Sequence, residues 1–204
     1  MISISNQEAK EILISVVAIS LALAINQVGI LEVPDNLPEF MKLSGFFLVA
    51  LGSGFILHEL AHKFTAIKFG YYAQFRMWLQ GLGFMFLLAI IPTKLMFIAP
   101  GAVYIGSPGK RISKRENGII SLAGPATNML IATIAIVAYL VFGPAMMDTM
   151  GGVEMWSSIA WINTFLALFN MIPVFPLDGS KVLAWNSLVY MGFGAIVLLF
   201  FFMV

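Results

Sequence analysis

The only two histidines in the 204 residues, His58 and His62, stand four positions apart, with Glu59 directly after the first. Four residues is about one helical turn, so on a helix both imidazoles project from one face and can grip one ion. Glu59 is rotated to an adjacent face, from which its carboxylate can reach a water on that ion without ligating it. Imidazoles with a carboxylate suit one zinc ion per chain, although other divalent ions accept the same donors. Zinc with one open position lowers the pKa of its water to near ~7 and polarises a carbonyl, which are the two effects peptide hydrolysis needs. The chain has no cysteine, so neither a thiolate ligand nor a cysteine nucleophile competes with this reading.

Two imidazoles leave zinc a ligand short. Asp178 is the candidate third, because it follows Pro173 and Pro176, which prevent regular helix and can bend the backbone toward a neighbouring element. Asp before Gly-Ser-Lys is also a common N-cap, and this second role stays open from local sequence alone. The topology favours ligation.

That topology follows from composition. The chain is 60% apolar and 10% charged, more apolar than a water-soluble core of this size requires, and reads as a membrane protein. A formal net charge of +1 gives no nucleic-acid footprint. Five apolar stretches, at about 10–31, 44–69, 118–142, 156–172 and 183–204, are near the ~20 residues that span a bilayer. The first exceeds a signal-peptide core and reads as a retained span. Glu32, Asp35 and Glu39 face a single lysine, Lys42, in one connection, and Asp148 and Glu154 lie in another that has no basic residue. Lys63, Lys68, Arg76, Lys94, Lys110, Arg111, Lys114, Arg115 and Lys181 fall in the remaining connections, which the positive-inside rule makes cytoplasmic. The N-terminus is then cytoplasmic. His58 lies roughly 15 Å from the Lys68 end of its helix at ~1.5 Å per residue, so the site is nearer the cytoplasmic face and on the side of Asp178. Lys110, Arg111, Lys114 and Arg115 read as a topology and headgroup signal.

The apolar stretch 79–105 lies between two basic segments of the same side and must go in and come back. Pro92-Thr93-Lys94 interrupts it, and Phe75–Gln80 before it alternates like a strand. A re-entrant or β-hairpin segment is the preferred reading, a helical hairpin the second and one full span the third; non-helical backbone at that depth must pack on protein or line a wet cavity. The expected fold is therefore an all-α polytopic membrane protein, a bundle of five to six transmembrane helices with that segment after the histidine helix. Residues 1–204 form one domain.

The chain resembles the site-2 proteases, the intramembrane metalloproteases of peptidase family M50. His58-Glu59-Leu60-Ala61-His62 matches their HExxH, Asn170 to Gly179 matches their NxxPxxPxDG, and Gly124-Pro125-Ala126-Thr127-Asn128 is similar to a weaker GxxxN pattern. The matches span 58–179 in the expected order. The resemblance implies zinc on His58, His62 and Asp178, Glu59 as general base and proton shuttle, and Asn170 donating to the tetrahedral oxyanion. Asn170 read by itself could equally bridge two helices. Asn128 is a candidate substrate contact, or structural glue beside Gly124. The chain departs from many members in showing neither a PDZ nor a nucleotide-sensing domain.

The activity these features imply is cleavage of a transmembrane protein substrate within the lipid bilayer. A helical substrate cannot present its carbonyl, so an extended segment is expected to pair with Phe75–Gln80 or with the hairpin after it. A transporter or metal-handling protein could use the same His/Asp cluster. Against that reading, the sequence shows no matching broken helices in two halves, and Glu59 has an obvious task only in hydrolysis.

Overall fold

The computed structural model describes residues 4–91, 96, 100–106, 109, 111–143 and 155–203. The described chain is mainly helical. Helix α1 (Asn6–Val28) starts on Ser5, whose hydroxyl accepts the Glu8 N–H, and stops at Gly29, which takes a positive φ of 92°. Helix α2 (Leu37–Lys68) carries the two histidines, and its 32 residues reach about 48 Å at 1.5 Å per residue. Strand β1 (Tyr72–Met77), helix α3 (Leu79–Ile90) and strand β2 (Gly101–Gly106) follow. Helix α4 (Lys114–Phe142) opens on a Ser113/Glu116 capping box and contains Pro125. Helices α5 (Met155–Asn170), α6 (Asp178–Trp185) and α7 (Ser187–Met203) complete the described chain.

Three of these helices, α1, α2 and α4, are long and apolar enough to cross a membrane. Two expected spans differ. The stretch 156–172 forms the 16-residue α5, and the stretch 183–204 is divided between α6 and α7. The division falls at Asn186, whose side-chain oxygen accepts the N–H groups of Leu188 and Val189 and so caps α7.

The segment after α2 also departs from the expected boundaries. β1 ends at Met77, and Leu79 and Gln80 already belong to α3. β1 and β2 pair antiparallel, with Arg76 opposite Ala102 and Phe75 opposite Val103. The two ends of the intervening chain therefore lie side by side, with Met77 opposite Gly101. The expected turn at Pro92-Thr93-Lys94 lies outside the described residues.

The sheet is held to the helices by buried charge as well as by apolar contact. Buried Glu8 of α1 takes the Nζ of Lys63, itself buried on α2, and the backbone N–H of Phe75. Glu11 takes Arg76 Nη1 and the Met77 N–H. Phe75 packs edge-on against Phe55 of α2, in a cluster with Ile12, Val16 and Ile19 of α1. α4 packs against α2, α5 and α6, which brings the two ends of the HExxH-to-Asp178 interval together.

The Trp78 N–H donates to the Pro100 carbonyl, so 78 and 100 form a hydrogen-bonded pair. Alternation along an antiparallel ladder then makes Phe75–Val103 a pair whose polar groups point away from each other. The outward groups of β1 go to Glu8 and Glu11. Those of β2, on Gly101, Val103 and Ile105, face the opposite edge, and no third strand lies there among the described residues.

Candidate metal centre

The two histidines and the distant aspartate meet. His58, His62 and Asp178 are all buried, and each offers one ligand atom to a common point. The His58 and His62 Nε2 atoms are 3.0 Å apart, and Asp178 Oδ2 stands 3.4 Å from the first and 3.1 Å from the second. Ligands at the ~2.0–2.1 Å of zinc–nitrogen bonds in a tetrahedron are about 3.3 Å from one another, so this triangle fits one zinc ion.

The outer nitrogens of both rings are taken. His58 Nδ1 lies 2.5 Å from Asn128 Oδ1, and His62 Nδ1 lies 2.7 Å from the Ile120 carbonyl. An acceptor at Nδ1 requires its proton there and leaves the Nε2 lone pair for a metal. Both acceptors come from α4. Pro125 lacks the N–H that would pair with the Ser121 carbonyl, one residue after Ile120, whose carbonyl reaches His62.

Gly124 supplies the space. A Cβ built there would lie 2.5 Å from His62 Nε2 and 2.6 Å from His58 Nε2, directly in front of the two donor atoms. Only a residue without a side chain leaves that volume to an ion.

Asp178 is the first residue of α6, and the cap position belongs to Leu177, with no side-chain cap bond. The carboxylate is thus not spent on its own helix. Its Oδ1 is held by Lys181 at 3.3 Å, one turn on, while Oδ2 faces the histidines. Gly179 permits this approach, since a Cβ there would collide with the Met171 backbone.

Glu59 is buried next to the cluster but outside it. The Val103 N–H of β2 lies within electrostatic reach of its carboxylate, and its Oε2 has no hydrogen-bond partner among the described residues. A buried carboxylate oxygen with nothing to accept is poised for a donor that arrives with the chemistry.

Asn128 and Asn170 are placed as follows. Asn128 is fully buried, and its amide is committed to His58 through Oδ1 and to the Gly54 carbonyl and Asn163 Oδ1 through Nδ2. These bonds match the structural role expected beside Gly124. Asn170, at the end of α5, donates to the Leu166 carbonyl of its own helix at 3.0 Å, so no hydrogen bond ties it to the histidines. Sequence reasoning missed Lys181, Asn163, the Val103 N–H and the Ile120 carbonyl. Lys181 had a signal in its i, i+3 spacing from Asp178; backbone groups carry none.

Comparison with known proteins agrees with this chemistry. The sequence profile described as peptidase family M50 matches residues 46–189. The chain is 44% identical over 145 residues to MJ0611 of Methanocaldococcus jannaschii, named as a candidate zinc metalloprotease, covering 70% of this chain and 71% of that one. It is 29% identical over 153 residues to YwhC of Bacillus subtilis, similarly named, covering 70% and 69%. To Rip2 of Mycolicibacterium smegmatis, also named as a candidate zinc metalloprotease, it is 33% identical over 165 residues, covering 73% and 61%. No solved structure matches it significantly.

Proposed function

Because the chain belongs to peptidase family M50, we propose that it is a zinc-dependent endopeptidase that cuts transmembrane segments of membrane-anchored proteins. The observation that carries the proposal is the convergence of His58, His62 and Asp178 in front of a side-chain-free Gly124, with Glu59 alongside. These three residues would hold the metal. Bound there, zinc would polarise the scissile carbonyl and acidify water.

The protein's own groups do the rest. Glu59 takes the proton of the attacking water and returns it to the leaving amine, and burial keeps its carboxylate from competing solvent. Asn128 and Ile120 keep both imidazoles in the metal-binding tautomer. Lys181 holds Asp178 from behind. Asn170 would need a change of rotamer to serve as oxyanion donor, and we assign it that role on the strength of its motif. A transporter using the same cluster would give Glu59 no task, and the comparisons name proteases.

α5 and α7, at about 24 and 26 Å by ~1.5 Å per residue, are close to the thickness of a thin bilayer and would join α1, α2 and α4 in a multi-pass fold. The N-terminus would be cytoplasmic, and the site nearer that face, as the positive-inside distribution requires.

Of the two segments expected to pair with substrate, β2 of the hairpin is favoured over β1. Glu8 and Glu11 occupy the outer edge of β1, whereas the outer edge of β2 runs beside Glu59, which is where an extended segment must lie to be cut. Ile105→Pro removes one outward N–H without breaking a β1–β2 bond. It should lower cleavage of a membrane-anchored substrate about 10-fold, while Ile105→Val, which keeps the N–H, should not. Equal rates for the two variants at equal zinc content would sink the edge assignment.

The activity itself is tested by reconstituting the purified chain with such a substrate in liposomes. Chelation should stop cleavage and zinc should restore it. Undiminished cleavage in metal-free protein would remove zinc from the reaction.

A further inference from the structure

Asn128 can support His58 only if its amide faces the right way. The two ends of an Asn side chain are nearly the same size, and only the oxygen accepts the His58 Nδ1 proton. With the amide reversed, an NH2 group would confront Nδ1 and favour the other tautomer, which protonates the nitrogen needed for the metal. The orientation is therefore set by whatever the NH2 end finds. It finds the Gly54 carbonyl at 3.2 Å and Asn163 Oδ1 at 2.9 Å.

Asn163, on α5, poses the same question one step further out. Its own NH2 end donates to the Ile159 carbonyl at 2.9 Å, which turns its oxygen toward Asn128. Both side chains are fully buried, so water cannot stand in for either partner. The result is a directional chain in which the Ile159 carbonyl orients Asn163, Asn163 orients Asn128 and Asn128 orients His58. Gly54, one turn before His58, is shaped to the same end, since a Cβ there would lie 2.6 Å from Asn163 Oδ1.

We propose that Asn163 is a positioning residue for the metal centre, acting on His58 through the orientation of the Asn128 amide. The proposal rests on the reading of His58 as a zinc ligand and adds α5 as a fourth helix to the centre, beside α2, α4 and α6. No residue of α5 needs to touch the ion for α5 to govern how well it is held.

The test measures zinc affinity by chelator competition on the purified full chain. Loss of an outer partner of a zinc ligand typically costs ~10- to 100-fold in affinity, and Asn163, one step more remote, should lie near the lower end. Asn163→Leu is expected to weaken zinc binding about 10-fold. Gly54→Ala should reproduce the loss with every polar group retained, which covers the case in which the Leu variant does not fold.

The deciding measurement is the double-mutant cycle. In an Asn128→Ala background Asn163→Leu should cost no further affinity, because the link through which it acts is gone. An equal loss in both backgrounds would overturn the proposal by showing a general packing effect, as would unchanged affinity in both Asn163→Leu and Gly54→Ala. Failure of the parent chain to bind zinc would instead refute the ligand assignment itself.

Discussion

Glu59→Gln should abolish measurable proteolysis, with a loss of about 10²–10⁴ in turnover, while the protein keeps one zinc per chain. The magnitude is that of a removed general base. The substitution is nearly isosteric, and the amide oxygen still faces the Val103 N–H. It cannot take a proton from water. Glu59 is not among the three residues whose ligand atoms converge, so metal content should be unaffected. Zinc analysis beside cleavage of a membrane-anchored substrate separates the two properties. Turnover within about 3-fold of the parent would remove Glu59 from the chemistry; loss of zinc together with activity would make it part of the metal site.

Gly124→Ala should have the opposite signature, with zinc content falling below about one-tenth of an ion per chain. A methyl group at 2.5–2.6 Å from both Nε2 atoms occupies the space an ion needs. The backbone of α4 cannot easily retreat, because Ile120 and Asn128 bind the same two rings from either side of Gly124. Gly45→Ala is the matched control. Gly45 lies in α2, where a Cβ would meet nothing within 4 Å, and the change should leave zinc untouched and favour the helix by about 0.5–1 kcal/mol. Full zinc content in Gly124→Ala would show that the rings can open without cost and that the glycine serves packing alone.

Much of the centre was legible in the sequence because the informative signals were local. The i, i+4 spacing of His58 and His62 fixes their common face whatever surrounds them, and the two prolines before Asp178 mark a segment that cannot be helix. Asn128 was legible as a residue but not as a partner. Its target depends on where α4 crosses α2, and no local pattern encodes a crossing. Asn163 was hidden for the same reason, and the Ile120 carbonyl more deeply, since every residue has one. The fold shows the same division. The alternation around Phe75 announced β1, but Gly101–Gly106 sits in an apolar run that reads equally as helix or buried strand until β1 claims it. The break at Asn186 carried neither proline nor glycine, and its signal was an Asn able to cap the helix that follows.

The two carboxylates of α1 have a bearing on self-association as well. An unpaired strand edge is a hazard, because it recruits any extended chain it meets, including another copy of itself. Placing Glu8 and Glu11 along β1 shuts that side with charge and leaves the sheet able to grow in one direction only. A chain that joined the remaining side would, on the proposed reading, lie near Glu59. On the proposed reading, the stickiness of a two-stranded sheet would be confined to the side where an intruding chain could be cut.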